Sequence, residues 1–585
     1  MDPGLVSAAR WLRLCAAAMV TILACSMAVV SVLEYETLKS HVDAFTVDRD
    51  ADVSREDFES FVVRLRVFAL LLGALGLALV SFGSRLDRLT ASVVSSWWGS
   101  WRGGPQALRL WARREGTLHV LSLVVVVAAG VGARLSFLDA PMRYDEAATY
   151  NGFVSQPLYV AVANYSEPNN HLFHTVLAAL SVDVFGGDPW SLRLTALVAG
   201  IAVILLSYVL AQRLYNPTAA LLTAALVASS STLIEYSTNA RGYSLLVAFT
   251  LGALVAGARV IETGSPGAWA AVAACSVLGF YTLPTMAYAF GGVLVWVGGS
   301  QLLRGDGWRD IIVALSVCAA VTAVVSAVLY APVFAASGIE AVTSNRFVRP
   351  RDAGEFLGGL PDHAWATLDS WTRDVPLVLS VILVAAVVAS LLLTRKLSRF
   401  PLPPLLAMLA WSVALLLVQR VLPFTRVWLF FAPVVFATGA GFIGWLVERR
   451  RSGVIVGPAV ALVVVFVGVG WVIRSDSVRT STETGSLPDA PAIATYLGTV
   501  LRPGDSVLAV GSDAILSYYL ARDGRDADAL IWQRPGPRVF VVVNRVKGDQ
   551  TLRTALDELP ADVHYEQPLH LRDWPSAELY LVRTV

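Results

Sequence analysis

Long apolar stretches separated by short polar ones fill the first 473 residues of this chain. A bilayer core about 30 Å thick is crossed by roughly 20 apolar residues in helical form. Stretches of about that length recur near 12–33, 62–83, 118–135, 192–212, 218–235, 243–261, 268–285, 286–303, 311–335, 375–394, 402–421, 427–447 and 454–473. This pattern predicts a polytopic α-helical membrane protein with about 13 transmembrane helices. The composition agrees: 56% of the 585 residues are hydrophobic and 15% are charged, against about 25% charged in soluble domains. Arg10 and Arg13 precede the first run, as in a signal peptide, but that run continues through Leu33. It therefore reads as an uncleaved span. The four cysteines all lie in apolar stretches and read as small core residues rather than metal ligands or disulfide partners.

Positive charge orients the spans, because Lys and Arg concentrate in cytoplasmic loops. Arg85, Arg88, Arg102, Arg109, Arg113 and Arg114 lie between the second and third spans. Arg213, Arg259, Arg304 with Arg309, then Arg395, Lys396 and Arg399, and finally Arg449–Arg451 mark alternate later loops. The loop 42–60 is acidic and fits the outside. One further apolar stretch, 171–186, is shorter and begins with Asn169, Asn170 and His171. Both flanking basic loops already fall inside without it, so it is expected to lie at the outer surface as a re-entrant or amphipathic helix. The N-terminus is then cytoplasmic, and residues 474–585 are extracytoplasmic.

That last segment changes character. Ser475–Pro491 reads as a polar linker. Helical runs at 492–501, 514–521 and 551–559 then alternate with strand-like runs at 506–510, 539–544 and 579–582, which suggests a small C-terminal α/β soluble domain. Gly511-Ser512-Asp513 lacks the full dinucleotide fingerprint. The formal net charge of +1 gives no bias toward nucleic acid.

With this topology four chemically rich segments gather at the outer face. Asp145 and Glu146 are adjacent carboxylates, either of which can serve as a general base or hold a cation. Neighbouring helix residues project about 100° apart, so one of the two is expected to face a given site. His171 and His174, three apart, share a helix face and can bind a phosphate, orient an acceptor or join a carboxylate on a metal. Arg241, Arg420 and Arg426 are outward arginines that break the charge rule, and each is a candidate phosphate partner or a snorkelling side chain. The longer loop 336–374, with Arg346, His363, Trp365 and Trp371, is a candidate substrate lid.

In this order the segments resemble the GT-C superfamily of glycosyltransferases, family-39 type, which includes protein O-mannosyltransferases and lipid A aminoarabinose transferases. The resemblance rests on Asp145-Glu146, Pro168-Asn169-Asn170-His171-Leu172, Trp190-Ser191-Leu192-Arg193, Ala240-Arg241-Gly242-Tyr243-Ser244-Leu245 and, loosely, Pro423–Arg426. The Asn-Asn-His segment and Val427 depart from the family pattern. The resemblance covers 118–473; residues 1–117 are then two added N-terminal spans and a cytoplasmic linker, and 474–585 the outer domain. It implies transfer of a sugar, with inversion, from a polyprenyl-phosphate donor to a hydroxyl of a glycan, lipid or protein acceptor at the outer face of the cytoplasmic membrane. By the same resemblance Asp145 or Glu146 is the base. Arg241, Arg426, Arg420 and His171 bind the donor phosphate, and Asn170, His174 and Tyr243 line the substrate site. No cofactor is required with certainty; a divalent cation is a candidate, its ligands unknown. Two other functions fit a polytopic chain: a transporter or flippase of lipid-linked sugars, which requires polar residues along a path through the spans, and a non-catalytic scaffold.

Overall fold

A computed structural model describes residues 3–45, 53–344, 347–449, 453–525, 530, 535–548 and 550–584. Asp48, Asp50 and Asp52 of the acidic loop, and Arg346, Arg450 and Arg451, lie outside the described residues. Each of the expected apolar stretches coincides with a helix. Among the described residues nine helices are long and apolar enough to cross a membrane, or up to 11 if each of two bent helix pairs is one span. Pro266–Thr282 and Pro404–Gln419 are shorter, at 17 and 16 residues. Leu172–Phe185 has 14 residues, only about 21 Å at 1.5 Å per residue, so its length suits an element that stops short of crossing. The chain is a multi-pass membrane protein.

Local chemistry sets the helix ends. Pro189, Pro217, Pro266 and Pro404 each open a helix, where the missing N–H is no loss. One break in the bundle positions a loop. Pro217–Ser229 and Ser231–Ser237 meet at 64°. The Arg134 guanidinium, fully buried in Thr117–Leu138, bridges its own helix to both sides of the break. It donates to Ala228 O at 3.2 Å and Gly130 O at 2.9 Å, and its Nε donates to Ser237 Oγ at 3.1 Å. The segment after the bend, 238–242, is thereby held at the end of the bundle.

Two segments expected between spans are helical. The segment expected as a cytoplasmic linker is a 33-residue helix, Gly83–Glu115, carrying basic and Trp residues. It is tied to the first span by Arg13–Asp87 at 2.7 Å and to Pro266–Thr282 by Trp97 Nε1 donating to Gly267 O at 2.9 Å. The candidate lid is also ordered: most of it is the helix Ala353–Thr372, set at 112° to Leu377–Leu392.

The C-terminal sheet contains β1 (Ser506–Leu508), β2 (Arg538–Asn544), β3 (Leu569–Trp574) and β4 (Ala577–Arg583), in the order β1-β2-β4-β3. β1 runs parallel to β2, which is separated from it by the helix Asp513–Arg522; β4 is antiparallel to both neighbours. This sheet does not hang free. One buried apolar cluster joins Met142, Ala147, Ala178 and Leu192 to Leu516, Phe540 and Leu579. Polar contacts cross the same seam: Tyr519 Oη accepts from Met142 N at 2.9 Å, and Tyr518 Oη donates to Gly187 O at 2.7 Å.

Candidate active site

The short helix Tyr144–Thr149 carries both carboxylates, and the structure sends them in opposite directions. Glu146 is fully buried. Its Oε1 accepts from Arg193 Nε at 2.7 Å and Ala240 N at 2.6 Å; its Oε2 accepts from Arg193 Nη2 at 2.6 Å and Arg143 N at 2.9 Å. Burial would raise its pKa, but the Arg193 charge and hydrogen bonds outweigh that and hold it below the usual carboxylate range. Arg193 spends its remaining donors on the carbonyls of Leu138, Ala140 and Pro141. All five of its N–H groups are used. Glu146 is therefore a clamp joining three segments, which corrects its expected place as a candidate base. The Trp-Ser-x-Arg motif supplies the other half of the clamp.

Asp145 turns the other way, into the lining of a cavity. Its Oδ2 lies 3.6 Å from Arg426 Nη2 and 4.0 Å from Arg241 Nη2, yet that oxygen is buried and accepts no hydrogen bond. The backbone at Asp145 is fixed, its carbonyl accepting from Asn169 Nδ2 at 3.0 Å and Thr149 Oγ1 at 2.8 Å. Arg241 is 3% exposed and donates through Nη1 to Asn169 O at 3.2 Å and Thr149 Oγ1 at 3.3 Å. Its Nη2 sits 3.1 Å from His171 Nε2. Arg426 donates to Tyr243 Oη at 3.0 Å and Glu483 O at 2.9 Å. Tyr243 is the shared wall: both guanidinium carbons lie 5.9 Å from its ring centre, and His171 meets it edge-on at 5.1 Å. His171 Nδ1 accepts from Gly242 N at 2.8 Å. Burial, with Arg241 alongside, pushes the imidazole well below its usual pKa, so it is neutral.

The other expected residues take different places. Asn170 is buried and spends its amide on Asn164 O at 2.7 Å and Ala161 O at 3.0 Å, bracing the segment before the site. His174 is fully buried behind His171, with both ring nitrogens unpartnered. Arg420 is exposed, in a left-handed turn at φ 52°, and its carbonyl accepts from Arg351 N at 2.9 Å. The structure leaves Arg420 out of the cluster, because the helix ends there and turns its side chain outward. Among the described residues no group of three His, Cys, Asp or Glu side chains could hold a metal ion.

Sequence reasoning missed Glu483. It lies in the segment expected as a polar linker, and its carboxylate accepts from Thr425 Oγ1 at 2.7 Å and Tyr236 Oη at 3.0 Å. The neighbouring carbonyls of Thr484 and Gly485 accept from Asp145 N at 3.4 Å and Tyr144 N at 2.8 Å. This strap borders a cavity of about 450 Å³ whose walls include Asp145, Arg426, Glu483, Gly485, Gly511 and Lys547. Burial, with Asp513 and Asp145 nearby, pushes the Tyr144 phenol at its edge up to about 12.

Residues 168–331 match the family model described as dolichyl-phosphate-mannose-protein mannosyltransferase. The matched span holds His171, Arg193, Arg241 and Tyr243, and it bears out the resemblance to GT-C glycosyltransferases. Among solved structures, ArnT from Cupriavidus metallidurans bound to undecaprenyl phosphate is similar over 78% of this chain and 97% of its own, at 16% identity and a TM-score of 0.47. The Archaeoglobus fulgidus oligosaccharyltransferase in complex with Zn and sulfate is similar over 78% and 72%, at 13% identity and a TM-score of 0.46. Arabinosyltransferase EmbB from Mycobacterium smegmatis is similar over 87% and 49%, at 14% identity and a TM-score of 0.40. No curated protein sequence matches the chain.

Proposed function

We propose that this chain is a membrane glycosyltransferase that moves a sugar from a polyprenyl-phosphate donor to an acceptor hydroxyl at the outer face of the cytoplasmic membrane, with inversion. The observation that carries the reading is the Asp145 carboxylate, fixed at a cavity wall with a buried oxygen that no donor satisfies, between two arginines. A saturated ion pair would be structural, whereas this one leaves capacity on both sides. A phosphate competing for the two guanidinium groups frees Asp145 for the acceptor.

The chemistry derives from the placement. The sugar–phosphate C1–O bond breaks, a C1–O bond to the acceptor forms on the opposite face, and the acceptor proton passes to Asp145. Negative charge grows on the leaving phosphate, where Arg241 and Arg426 stabilise it. His171 joins them. With Nδ1 accepting from Gly242, the neutral ring carries its proton on Nε2. That N–H and Arg241 Nη2 are then two donors 3.1 Å apart, a repulsive pairing that one anionic oxygen beside them, accepting from both, would relieve.

The test is Asp145→Asn in a membrane assay with a polyprenyl-phosphate sugar. Transfer is expected to fall about 10²–10⁴-fold, the usual range for loss of a general base, at unchanged expression. Turnover near that of the parent protein would sink the assignment. Profiling lipid-linked sugars and envelope glycans in a strain without the gene identifies the sugar. Accumulation of an intact lipid-linked sugar on the inner side would instead favour a flippase.

A further inference from the structure

The cavity beside Asp145 has two walls of different origin. Asp145 and Arg426 come from the membrane domain, and Gly511 and Lys547 from the C-terminal domain. Lys547 comes after β2, and its Nζ lies against Gly511: a Cβ built on that glycine would fall 2.0 Å from it. Gly511 also takes a left-handed φ of 59°. The turn is thus shaped so that the ammonium packs directly over backbone, where a side chain would displace it. Among the described residues Lys547 makes no ion pair or side-chain hydrogen bond, and it shares the cavity lining with Asp145 and Glu483. The domain bearing it is docked through a continuous apolar core, so the placement is fixed rather than incidental.

We propose that Lys547 is a specificity-determining residue for the acceptor, which carries a carboxylate or phosphate close to the hydroxyl that receives the sugar. This rests on the glycosyltransferase reading of the same site. On that reading the donor phosphate is taken by Arg241, Arg426 and His171 of the membrane domain, so a further cation supplied by the C-terminal domain addresses the other reactant. At about 450 Å³ the cavity lies within the usual range for small-ligand sites, and Asp145 is the carboxylate in it with an oxygen free to take the acceptor proton. An acceptor anion held at Lys547 and a hydroxyl at Asp145 would bridge the cavity from wall to wall. Lys547 takes no part in bond making; it positions the acceptor.

The experiment uses the full chain expressed in a strain without its own copy, with Lys547→Met, which keeps the stem and removes the charge, and Lys547→Arg, which keeps the charge. Glycosylated product in the envelope is measured by mass spectrometry, and binding of undecaprenyl phosphate to the detergent-purified protein by tryptophan fluorescence. Lys547→Met is expected to lose product at least about tenfold, with undecaprenyl-phosphate affinity within about twofold of the parent; the latter also shows that the variant is folded. Lys547→Arg is expected to keep at least a third of the product. The product should carry an acidic group beside the new linkage, and its partition between organic and aqueous phases tells a lipid acceptor from a soluble or polymeric one. Unchanged product from Lys547→Met, or a neutral acceptor in the parent product, overturns the proposal and leaves the glycosyltransferase reading standing. An envelope unchanged by loss of the gene, with undecaprenyl-phosphate affinity unaffected by Arg241→Ala, brings down both.

Discussion

Two arginine–carboxylate clusters lie one residue apart on the chain and answer to different physics. In the cluster around Glu146 every carboxylate oxygen and every Arg193 donor has a partner, and both side chains are fully buried. In the cluster around Asp145 the carboxylate stands 3.6 and 4.0 Å from its arginines, one oxygen bare, at the wall of a cavity. A buried ion pair is tolerable when its geometry is complete, because the cost of removing both charges from water must be offset in place. The incomplete cluster is left strained electrostatically in a way that a bound anion and a hydroxyl would relieve. Completion marks the scaffold, and incompleteness marks the site.

The largest effect should come from breaking the complete cluster. Arg193→Met strands the Glu146 charge, and removal of one partner of a buried pair costs about 3–5 kcal/mol. Little folded protein is expected in detergent, and thermal unfolding should shift sharply downward. The double variant Arg193→Met with Glu146→Gln should recover part of that loss, since no bare charge remains; measured stability of the double variant below that of Arg193→Met would show that the four hydrogen bonds to Glu146, rather than the charge balance, hold these segments together. Asp145→Asn is the contrast. Its ion pairs are long and its Oδ2 accepts no hydrogen bond, so unfolding should move less than in Arg193→Met while transfer fails.

Next in size are the two arginines of the open cluster. Arg241→Lys and Arg426→Lys keep the charge but lose the planar fork, and each should slow transfer by roughly 10²-fold, as expected for loss of one donor to developing charge. Arg241 should weigh more on donor affinity, because it shares His171. Kinetics with varied polyprenyl-phosphate sugar separate the effects: donor KM unchanged in Arg241→Lys would break its assignment to the phosphate.

The sequence carried much of this, unevenly. Arg241 and Arg426 were visible because outward arginines break the charge rule, and the adjacency of Asp145 and Glu146 implied that they diverge. What adjacency could not say was which one turns inward, since that depends on Arg193, some 50 residues away. Glu483 and Lys547 gave no signal: a Glu in a Ser/Thr-rich linker and a Lys after a strand look like solvated surface until the chain folds back over Asp145. β3 was missed because its residues are mostly exposed, with Trp574 buried at its end, so it lacks the apolar alternation that marks a strand. The helix Gly83–Glu115 was hidden by its charge, which reads as a loop although its basic and Trp faces suit a membrane surface.

The smallest effect is expected at Arg420, and it tests the comparison from its other side. By sequence Arg420 and Arg426 are two arginines in one expected outer loop, of which Arg426 alone falls in the Pro423–Arg426 motif. The structure separates them by backbone. The helix Pro404–Gln419 ends with Arg420 in a left-handed turn, which directs its side chain to the surface and leaves its carbonyl to tie down Arg351. Arg426 begins the next turn of helix and points at Tyr243 and Asp145. Arg420→Ala keeps that carbonyl, so transfer should stay within about twofold of the parent and unfolding within about 0.5 kcal/mol, as for ordinary surface positions. Arg420→Gly should be slightly more stable in the folded state, because glycine adopts φ 52° without the steric cost borne by arginine. A tenfold loss of transfer in Arg420→Ala would mean that the donor reaches the exposed face of this turn, and that the open cluster extends beyond Asp145, Arg241 and Arg426.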